Sequence, residues 1–437
     1  MTTADHCPAG RTATFHTFGC KLNFAETATI ERLFAERGIA VAAEDSAPDF
    51  IVVNSCSVTA EADRKCRSMI RSFHRRFPQA AIMVTGCYAQ LKPDELRKLP
   101  GVVAVAGTND KLKLAEIAAG TMAVPALPPI VDAVGLREFM PSCERGDRTR
   151  YFLKVQDGCD YWCTYCTIPR ARGRSRSPQI EFLEGEARRV AAEGGREIVL
   201  TGVNIGDYGR RDGLTFLDLC RRLDTVDGIE RYRISSIEPN LLTDELIDFV
   251  AASRRFMPHF HIPLQSGSDR VLELMRRRYN TDFFARKVER VRAAVPDAFI
   301  GVDLIVGARG ETEHEFERSR AFVESLDISH LHVFAYSERP GTRALDLPDA
   351  VDQHTKHERS AVMTALSAAK HRAFALRFAG TVRPVLVEGG RNGANDAGFT
   401  DNYLRVSLSE AAAENEIINV RLDTLADDGQ TFHATQV

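Results

Sequence analysis

Cys159-Asp-Tyr-Trp-Cys163-Thr-Tyr-Cys166 places three cysteines on a short loop directly after a predicted strand. Three thiolates at this spacing can bind three irons of a cubane cluster and leave the fourth iron without a protein ligand. An open metal position of this kind is where a cofactor or substrate can coordinate. The alternative is a zinc knuckle, but zinc usually takes four ligands arranged in CxxC pairs, and no fourth ligand lies nearby. The run therefore predicts an iron–sulfur site with an open iron.

The surrounding sequence predicts a barrel that carries this loop. Six strand-like runs, each usually followed by a helical pattern, lie near Phe152–Val155, Glu197–Thr201, Arg231–Ser235, His259–Pro263, Phe299–Val306 and His330–Tyr336. Six βα units indicate a partial (β/α)6 barrel, related to the complete eightfold barrel. Functional groups in such barrels lie at the carboxyl ends of the strands, which is where the cysteine loop begins.

The first ~115 residues also alternate strand and helix patterns, which predicts an open parallel α/β sheet. Strands are expected at Ala13–Thr17, Phe50–Val53 and Ala81–Thr85. A cysteine follows the end of each of these strands. Because the carboxyl ends of parallel strands share one edge of a sheet, these cysteines should converge. Their numbers are Cys20, Cys56 and Cys87.

Free cysteines are often simple buried side chains, which is the alternative interpretation of this second set. Three cysteines at the same strand position favour a second three-thiolate cluster with an open iron. The other cysteines lack such a context, and we expect packing roles or none for them. These are Cys7, Cys66, Cys143 and Cys220.

The rest of the chain completes an α/β protein of three domains and a linker. Residues 118–149 are rich in proline and lack a sustained period, which is typical of a linker. A long helix or helix pair is expected over Ala350–Phe378, followed by short strands near Val382–Val387, Tyr403–Val406 and Ile417–Leu422. These strands predict a small β-barrel. The expected boundaries are 1–117 for the cluster domain, 150–375 for the barrel and 376–437 for the C-terminal domain.

Composition excludes several classes of protein. The 437 residues are 44% hydrophobic and 27% charged, with a net charge of −3, as in an ordinary globular protein. No apolar run is long enough to span a membrane, and the N-terminus lacks the apolar core of a signal peptide. We therefore expect a cytoplasmic protein whose nucleic-acid contacts, if it makes them, come from a local patch.

The loop of Cys159, Cys163 and Cys166 resembles the signature of radical S-adenosylmethionine (SAM) enzymes, and the whole chain resembles the methylthiotransferase family among them. The resemblance rests on the following stretches: Thr17-Phe-Gly-Cys-Lys-Leu-Asn23, Asn54-Ser-Cys-Ser-Val-Thr59, Gly86-Cys-Tyr-Ala-Gln90, Gln156 through Arg176, His261-Ile-Pro-Leu-Gln-Ser-Gly-Ser268 and Gly398-Phe-Thr-Asp-Asn-Tyr403. It implies two 4Fe–4S clusters, one binding SAM and one carrying sulfide. It also implies a C-terminal barrel of the TRAM type.

Within the family, the stretches around Cys20, Cys56 and Gly158 look most like the subgroup acting on threonylcarbamoyladenosine at position 37 of tRNA. The implied reaction adds a methylthio group to carbon 2 of that base. The implied partners are the tRNA anticodon loop and an electron donor such as flavodoxin or ferredoxin, with no stable protein partner. The family's other substrates, isopentenyladenosine in tRNA and an aspartate of a small-subunit ribosomal protein, remain alternatives.

Beyond the six cluster cysteines, no further catalytic residue is expected. By resemblance, the SAM site should include Tyr165, Asn204, Glu238 and Gln265, although polar groups at strand ends can equally cap helices. Arginines alternate just after the cysteine loop and could contact RNA phosphates or the threonyl carboxylate, or could lie on the wet face of a loop. They are Arg170, Arg172, Arg174 and Arg176.

Several features leave other readings open. Gly307-Ala-Arg-Gly310 and Phe334-Ala335 depart from the family's usual sequences at late strand ends. From Arg377 onward the chain has five arginines and no lysine against nine acidic residues, a net of −4, which is unusual for an RNA-binding module. A non-catalytic iron–sulfur RNA-binding redox sensor would need no SAM. A radical SAM dehydrogenase would use its second cluster only to relay electrons, and such a cluster usually has four protein ligands.

Overall fold

The computed structural model describes residues 10–42, 46–136, 138–146, 148–389 and 396–437. Three groups of strands follow one another along the chain: an open parallel sheet, a partial barrel and a small closed barrel. The predicted α/β architecture is confirmed, while the exact domain boundaries remain predictions. No helix in the described ranges is long and apolar enough to cross a membrane.

The first sheet has five parallel strands in the order β2-β1-β3-β4-β5. Its central strands, β3 and β4, are almost wholly buried runs of Ile, Val and Met, as expected for parallel strands covered on both faces. The elements are β1 Thr12–Thr17, α1 Lys21–Glu36, β2 Ala40–Val41, β3 Phe50–Ser55, α2 Ala60–Arg76, β4 Ala81–Gly86, α3 Cys87–Leu91, α4 Pro93–Arg97, β5 Val102–Val105 and α5 Lys113–Ala119.

The segment predicted as a linker contains a short strand that the sequence did not indicate. This strand, β6 Cys143–Glu144, pairs antiparallel with the first barrel strand, β7 Tyr151–Lys154. The backbone pairing ties the segment to the edge of the barrel. A two-residue strand has no detectable alternation, which explains why sequence reasoning missed it.

The central region forms the six predicted parallel strands in the expected order. Two ladders, β7-β8-β9 and β10-β11-β12, are joined by a parallel bridge between Ser236 and His261. The strands are β8 Glu197–Thr201, β9 Arg231–Ile234, β10 His259–Gln265, β11 Phe299–Val306 and β12 His330–Ala335. The helices are α6 Ile168–Arg172, α7 Ile180–Ala192, α8 Phe216–Leu223, α9 Asp244–Ala252, α10 Asp269–Leu274, α11 Thr281–Ala294 and α12 Glu313–Ser325.

A long helix, α13 Gln353–Leu376, leads to the C-terminal barrel. Its first turn is capped by Asp352, whose carboxylate accepts hydrogen bonds from the backbone amides of His354 and Thr355. The closed barrel has the order β13-β14-β15-β17-β16. Its strands are β13 Val382–Glu388, β14 Ala397–Thr400, β15 Arg405–Leu408, β16 Ile417–Leu425 and β17 Thr431–Gln436. The sequence alone did not indicate β14 or β17.

Candidate functional site: two cysteine triads and adjoining cavities

The first cysteine triad lies at the carboxyl edge of the N-terminal sheet. Cys20 is the N-cap residue of α1, Cys56 directly follows β3, and Cys87 is the first residue of α3 directly after β4. Because β1, β3 and β4 are neighbours, these positions converge as predicted. Burial raises the pKa of the Cys87 thiol, and the charge of the nearby Arg172 opposes that effect.

Two glycines let the backbone approach closely enough for this convergence. Gly19 has φ +104°, and a Cβ there would lie 2.8 Å from the Cys56 sulfur. Gly86 has φ +98°, and a Cβ there would lie 2.2 Å from the Ser55 carbonyl oxygen. Larger residues at either position would displace the cysteine loops. Burial, together with the neighbouring Cys87 and Cys20, raises the pKa of Cys56 to about 12.

The second triad occupies the loop between β7 and α6. The backbone amide of Tyr161 donates to the Cys159 sulfur at 3.3 Å, and that of Ile168 donates to the Cys166 sulfur at 3.4 Å. The guanidinium of Arg277 donates to the Cys163 sulfur at 3.2 Å. Burial raises the pKa of Cys163, and Arg277 opposes that effect. Donors aimed at the sulfurs stabilise thiolates and tune the potential of an iron–sulfur cluster.

The donor set of each triad tests which metal group it fits. Each triad offers three cysteine sulfurs, and thiolate sulfur is the ligand of iron–sulfur clusters. A structural zinc site closes with four protein ligands, whereas three thiolates leave one corner of a 4Fe–4S cluster open. The donor set of each triad therefore fits a 4Fe–4S cluster with an open iron better than a structural zinc ion.

A cavity of about 330 Å³ opens over the second triad. Its wall contains the three cysteines and all four residues for which the resemblance implied SAM contacts: Tyr165, Asn204, Glu238 and Gln265. The structure thus brings these scattered residues together at the carboxyl ends of the barrel strands.

Two of these side chains carry signs of a ligand site. Both polar atoms of the Asn204 side chain are buried and lack a hydrogen-bond partner among the described residues. Gln265 has φ +68°, a conformation that costs a non-glycine residue energy, where the β10–β11 ladder shifts register. Glu238 forms a charge pair with Arg277, which also contacts Cys163. Burial raises the pKa of Glu238, and Arg277 opposes the effect.

A larger cavity, of about 700 Å³, adjoins the first. Cys20 and Lys21 line one side of it, and the C-terminal barrel contributes Phe399, Tyr403 and Arg405. Three further residues, Ser236, Asp303 and Phe334, line both cavities and form their shared wall. Cys20 of the first triad and all three cysteines of the second therefore line adjoining spaces at one end of the barrel.

The larger cavity contains histidines that sequence reasoning missed. His261 on β10 contacts Asp303 on β11, with 2.7 Å between Nε2 and Oδ1, and Asp303 is paired in register with His332 on β12. Burial lowers the pKa of His332. The available signal was the alternation of His259 with His261 and of His330 with His332, which marks one face of each strand.

The four alternating arginines do not act as one set. Arg172 is buried and donates to the carboxylates of Glu26 and Asp157 at 3.1 and 3.2 Å. Arg176 is also buried and donates to Asp157 at 3.1 Å. Arg170 and Arg174 are exposed. The expectation of RNA or substrate contacts by Arg172 and Arg176 does not fit their burial, because their guanidinium groups are already bonded inside the protein.

The buried arginines belong to a network that joins the N-terminal sheet domain to the barrel. Glu26 on α1 also accepts from Lys111 at 2.5 Å and from Lys154 on β7 at 2.9 Å. Burial alone would raise the pKa of Glu26, but Arg172, Lys111 and Lys154 hold it well below its usual value. Glu26 therefore keeps its charge, and the network fixes α1, which begins directly after Cys20, against the barrel.

The remaining cysteines pack as expected. Cys66, Cys143 and Cys220 are buried in hydrophobic clusters or beside them. Cys7 lies outside the described residues. Ala335, which stands after Phe334 where the family usually has proline, lines the smaller cavity, so that departure falls at the site itself.

Family models and relatives agree with this arrangement. A model described as the radical SAM superfamily matches residues 153–323, and one described as uncharacterized protein family UPF0004 matches residues 12–107. The solved radical SAM methyltransferase TsrM of Kitasatospora setae shares the fold with a TM-score of 0.54 at 16% identity, covering 76% of this chain and 77% of that one. The fold and the cysteine loop thus define a radical SAM enzyme.

Relatives of known name are similar over nearly the whole chain. The threonylcarbamoyladenosine tRNA methylthiotransferase MtaB of Bacillus subtilis is 39% identical, covering 90% of each chain. MtaB of Thermotoga maritima is 35% identical over 96% of each chain. The tRNA-2-methylthio-N(6)-dimethylallyladenosine synthase of Syntrophotalea carbinolica is 36% identical over 87% of this chain and 89% of that one. This chain belongs to the methylthiotransferase family of radical SAM enzymes, whose cofactors are 4Fe–4S clusters and SAM.

Proposed function

We propose that this enzyme adds a methylthio group to carbon 2 of threonylcarbamoyladenosine in the anticodon loop of tRNA. The observation that carries the proposal is that Cys20 of one triad and all three cysteines of the other line adjoining cavities, in a chain whose relatives include MtaB enzymes. The C–H bond at carbon 2 of adenine is not acidic, so a side-chain base cannot open that position. The hard step therefore belongs to the cofactors, and the protein binds and orients the reactants.

The smaller cavity is the proposed SAM site. Cys159, Cys163 and Cys166 would hold one cluster, which together with SAM supplies the radical that removes a hydrogen atom. Asn204 would offer SAM the two polar atoms of its side chain, which have no partner within the described part of the chain. Arg277 pairs with Glu238 and also donates to the Cys163 sulfur, which holds both side chains in place at the site.

The larger cavity is the proposed nucleoside site. Cys20, Cys56 and Cys87 would hold the second cluster and with it the sulfur to be transferred. A volume of about 700 Å³ lies within the range of small-molecule sites, about 300–1,000 Å³. The target base must leave the stack of its loop to enter, as is common when RNA loops are recognised. We also propose a cytoplasmic enzyme that receives electrons from a small donor such as flavodoxin or ferredoxin.

The test is product analysis. Anaerobically reconstituted protein is incubated with SAM, dithionite and tRNA from a strain that lacks methylthiolated bases, and the digested nucleosides are identified by mass spectrometry. We expect methylthio-threonylcarbamoyladenosine from the native protein and none from Cys20→Ala or Cys163→Ala. Iron content should fall from about eight atoms per chain to about four in each variant, since each triad holds one cluster.

Cys220→Ala is the matched control, because Cys220 is buried in the hydrophobic core of the barrel and belongs to neither triad. This variant should keep both iron and product. A methylthio-isopentenyl product instead would keep the chemistry and refute the substrate. Formation of 5′-deoxyadenosine without a methylthio nucleoside would point to the ribosomal-protein substrate or another radical reaction. Absence of SAM cleavage would favour an RNA-binding redox sensor.

A further inference from the structure

Lys21 is a cation that has no partner among the described residues, and it lies at the site of proposed sulfur transfer. It is the first residue of α1, directly after Cys20, and its exposed side chain lines the larger cavity. Within the described ranges, no ion pair or hydrogen bond engages its ammonium group. The buried lysines nearby behave differently, because Lys111 and Lys154 both pair with Glu26.

The acidic groups of the same cavity are already engaged. Asp303 lies close enough to interact electrostatically with Lys21, but its carboxylate is bonded to His261 at 2.7 Å. Asp428, which also lines the cavity, accepts from the backbone amides of Gln430 and Thr431 at 2.8 and 2.9 Å. A cavity with a free ammonium group and engaged carboxylates favours an anionic ligand.

The chemistry of the modified base connects this cation to the substrate. In adenine, carbon 2 and the carbon that bears N6 flank the same ring nitrogen, so a substituent on N6 lies along the edge that also presents carbon 2. When carbon 2 faces the Cys20 side of the cavity, the N6 substituent lies within reach of the next residue. The threonylcarbamoyl substituent ends in a carboxylate, whereas a dimethylallyl substituent is uncharged.

We propose that Lys21 binds the carboxylate of the threonylcarbamoyl group and thereby selects this base over its uncharged counterparts. The inference rests on the proposed function. It moves the recognition of the carboxylate from the arginine-rich stretch to α1, since Arg172 and Arg176 are bonded within the protein. Lys21 is a substrate-binding residue in this proposal and has no part in the chemistry of the transfer.

The test uses two synthetic anticodon stem-loops, one with threonylcarbamoyladenosine and one with its methyl ester, which lacks the negative charge. Initial rates of methylthio product formation give kcat/KM for each. A charge-assisted hydrogen bond contributes about tenfold to a hundredfold in affinity. The native enzyme should prefer the acid by about that factor. In Lys21→Gln, kcat/KM should fall for the acid stem-loop and stay unchanged for the ester, so that the preference is lost. Lys21→Arg should restore part of the preference for the acid.

Lys98→Gln is the matched control, because this substitution removes the same charge elsewhere. Lys98 is an exposed lysine in the turn after α4. It should keep the native preference. Iron content is measured for every variant, because Lys21 is adjacent to Cys20. A comparison that needs no variant is the salt dependence of native binding to the two stem-loops, which should be steeper for the acid.

The outcomes separate this inference from the proposed function. A native enzyme that modifies the isopentenyl base but neither stem-loop refutes the function itself. A native enzyme that modifies acid and ester equally well, with equal salt dependence, refutes the role of Lys21 and leaves the function intact. Equal losses on acid and ester in Lys21→Gln overturn the inference in the same way.

Discussion

At the scale of single residues, Asn204 shows most directly how the smaller cavity is prepared for a ligand. Its amide is buried with no partner among the described residues, and burying a polar group without a hydrogen bond costs about 1–3 kcal/mol. We expect a bound ligand to recover that cost. Asn402 is a useful contrast, because it accepts from Thr400 at 2.7 Å and donates to the Asp297 carbonyl oxygen at 3.2 Å.

Asn204→Leu should therefore separate stability from cofactor binding. The apoprotein should melt at the same temperature as the native chain or higher, while the KM for SAM rises about tenfold or more. Asn402→Leu should lower the melting temperature, because it leaves bonded partners unsatisfied. Thermal melts and 5′-deoxyadenosine formation measure the two effects. A lower melting temperature for Asn204→Leu would show that the amide has partners in the free protein.

At the scale of elements, α1 and α6 meet through buried charges. Arg172 on α6 forms an ion pair with Glu26 on α1, and Glu26 also forms ion pairs with Lys111 and Lys154. Removing one member leaves uncompensated charge in the interior, which is far more costly than removing a whole ion pair. The arrangement positions Cys20 because α1 begins at the next residue.

Arg172→Met should lower the free energy of unfolding of the apoprotein by about 3–5 kcal/mol. Arg174→Met, two residues away on the exposed side, should change it by less than about 0.5 kcal/mol. Urea unfolding followed by circular dichroism measures both. Equal effects would mean that the alternating arginines share one environment, contrary to the burial seen here.

At the scale of the whole molecule, the C-terminal barrel completes one cavity but not the other. Its backbone carbonyl groups at Pro384 and Asp401 accept from Arg231 and Arg233 of β9, which anchors it to the central barrel. Phe399, Tyr403 and Arg405 then form part of the larger cavity wall. The C-terminal barrel is acidic as a whole, but it thus still places one arginine, Arg405, in the wall of the larger cavity.

Arg405→Glu should raise the KM for tRNA several-fold at low salt and leave RNA-independent SAM cleavage unchanged. The reason is that the variant places a negative charge where a polyanion approaches. SAM cleavage should be unaffected, because all residues that line the smaller cavity precede the C-terminal barrel in the chain. Arg421→Glu, at an exposed position of β16 outside the cavity lining, is the control. Equal KM values for the two variants would place the RNA path elsewhere.

The sequence by itself determined the architecture and the cysteine triads. A cysteine directly after a buried parallel strand can be recognised locally, because strand periodicity is local and the ends of parallel strands share an edge. The strands β8 and β11 were predicted to the residue for the same reason. Strand β14, Ala-Gly-Phe-Thr, escaped prediction because it is short and contains a glycine.

Only the tertiary structure decided which charged groups remain free. Alternation could not tell whether Arg172 or Arg174 faces the interior, because that depends on Glu26, which lies more than a hundred residues earlier in the chain. The meeting of His261 with Asp303 likewise depends on the pairing of β10 with β11, and the exposure of Lys21 to the cavity depends on how the N-terminal sheet and the two barrels pack together. Desolvation and pairing of charges are properties of the assembled interior, which no single stretch of sequence contains.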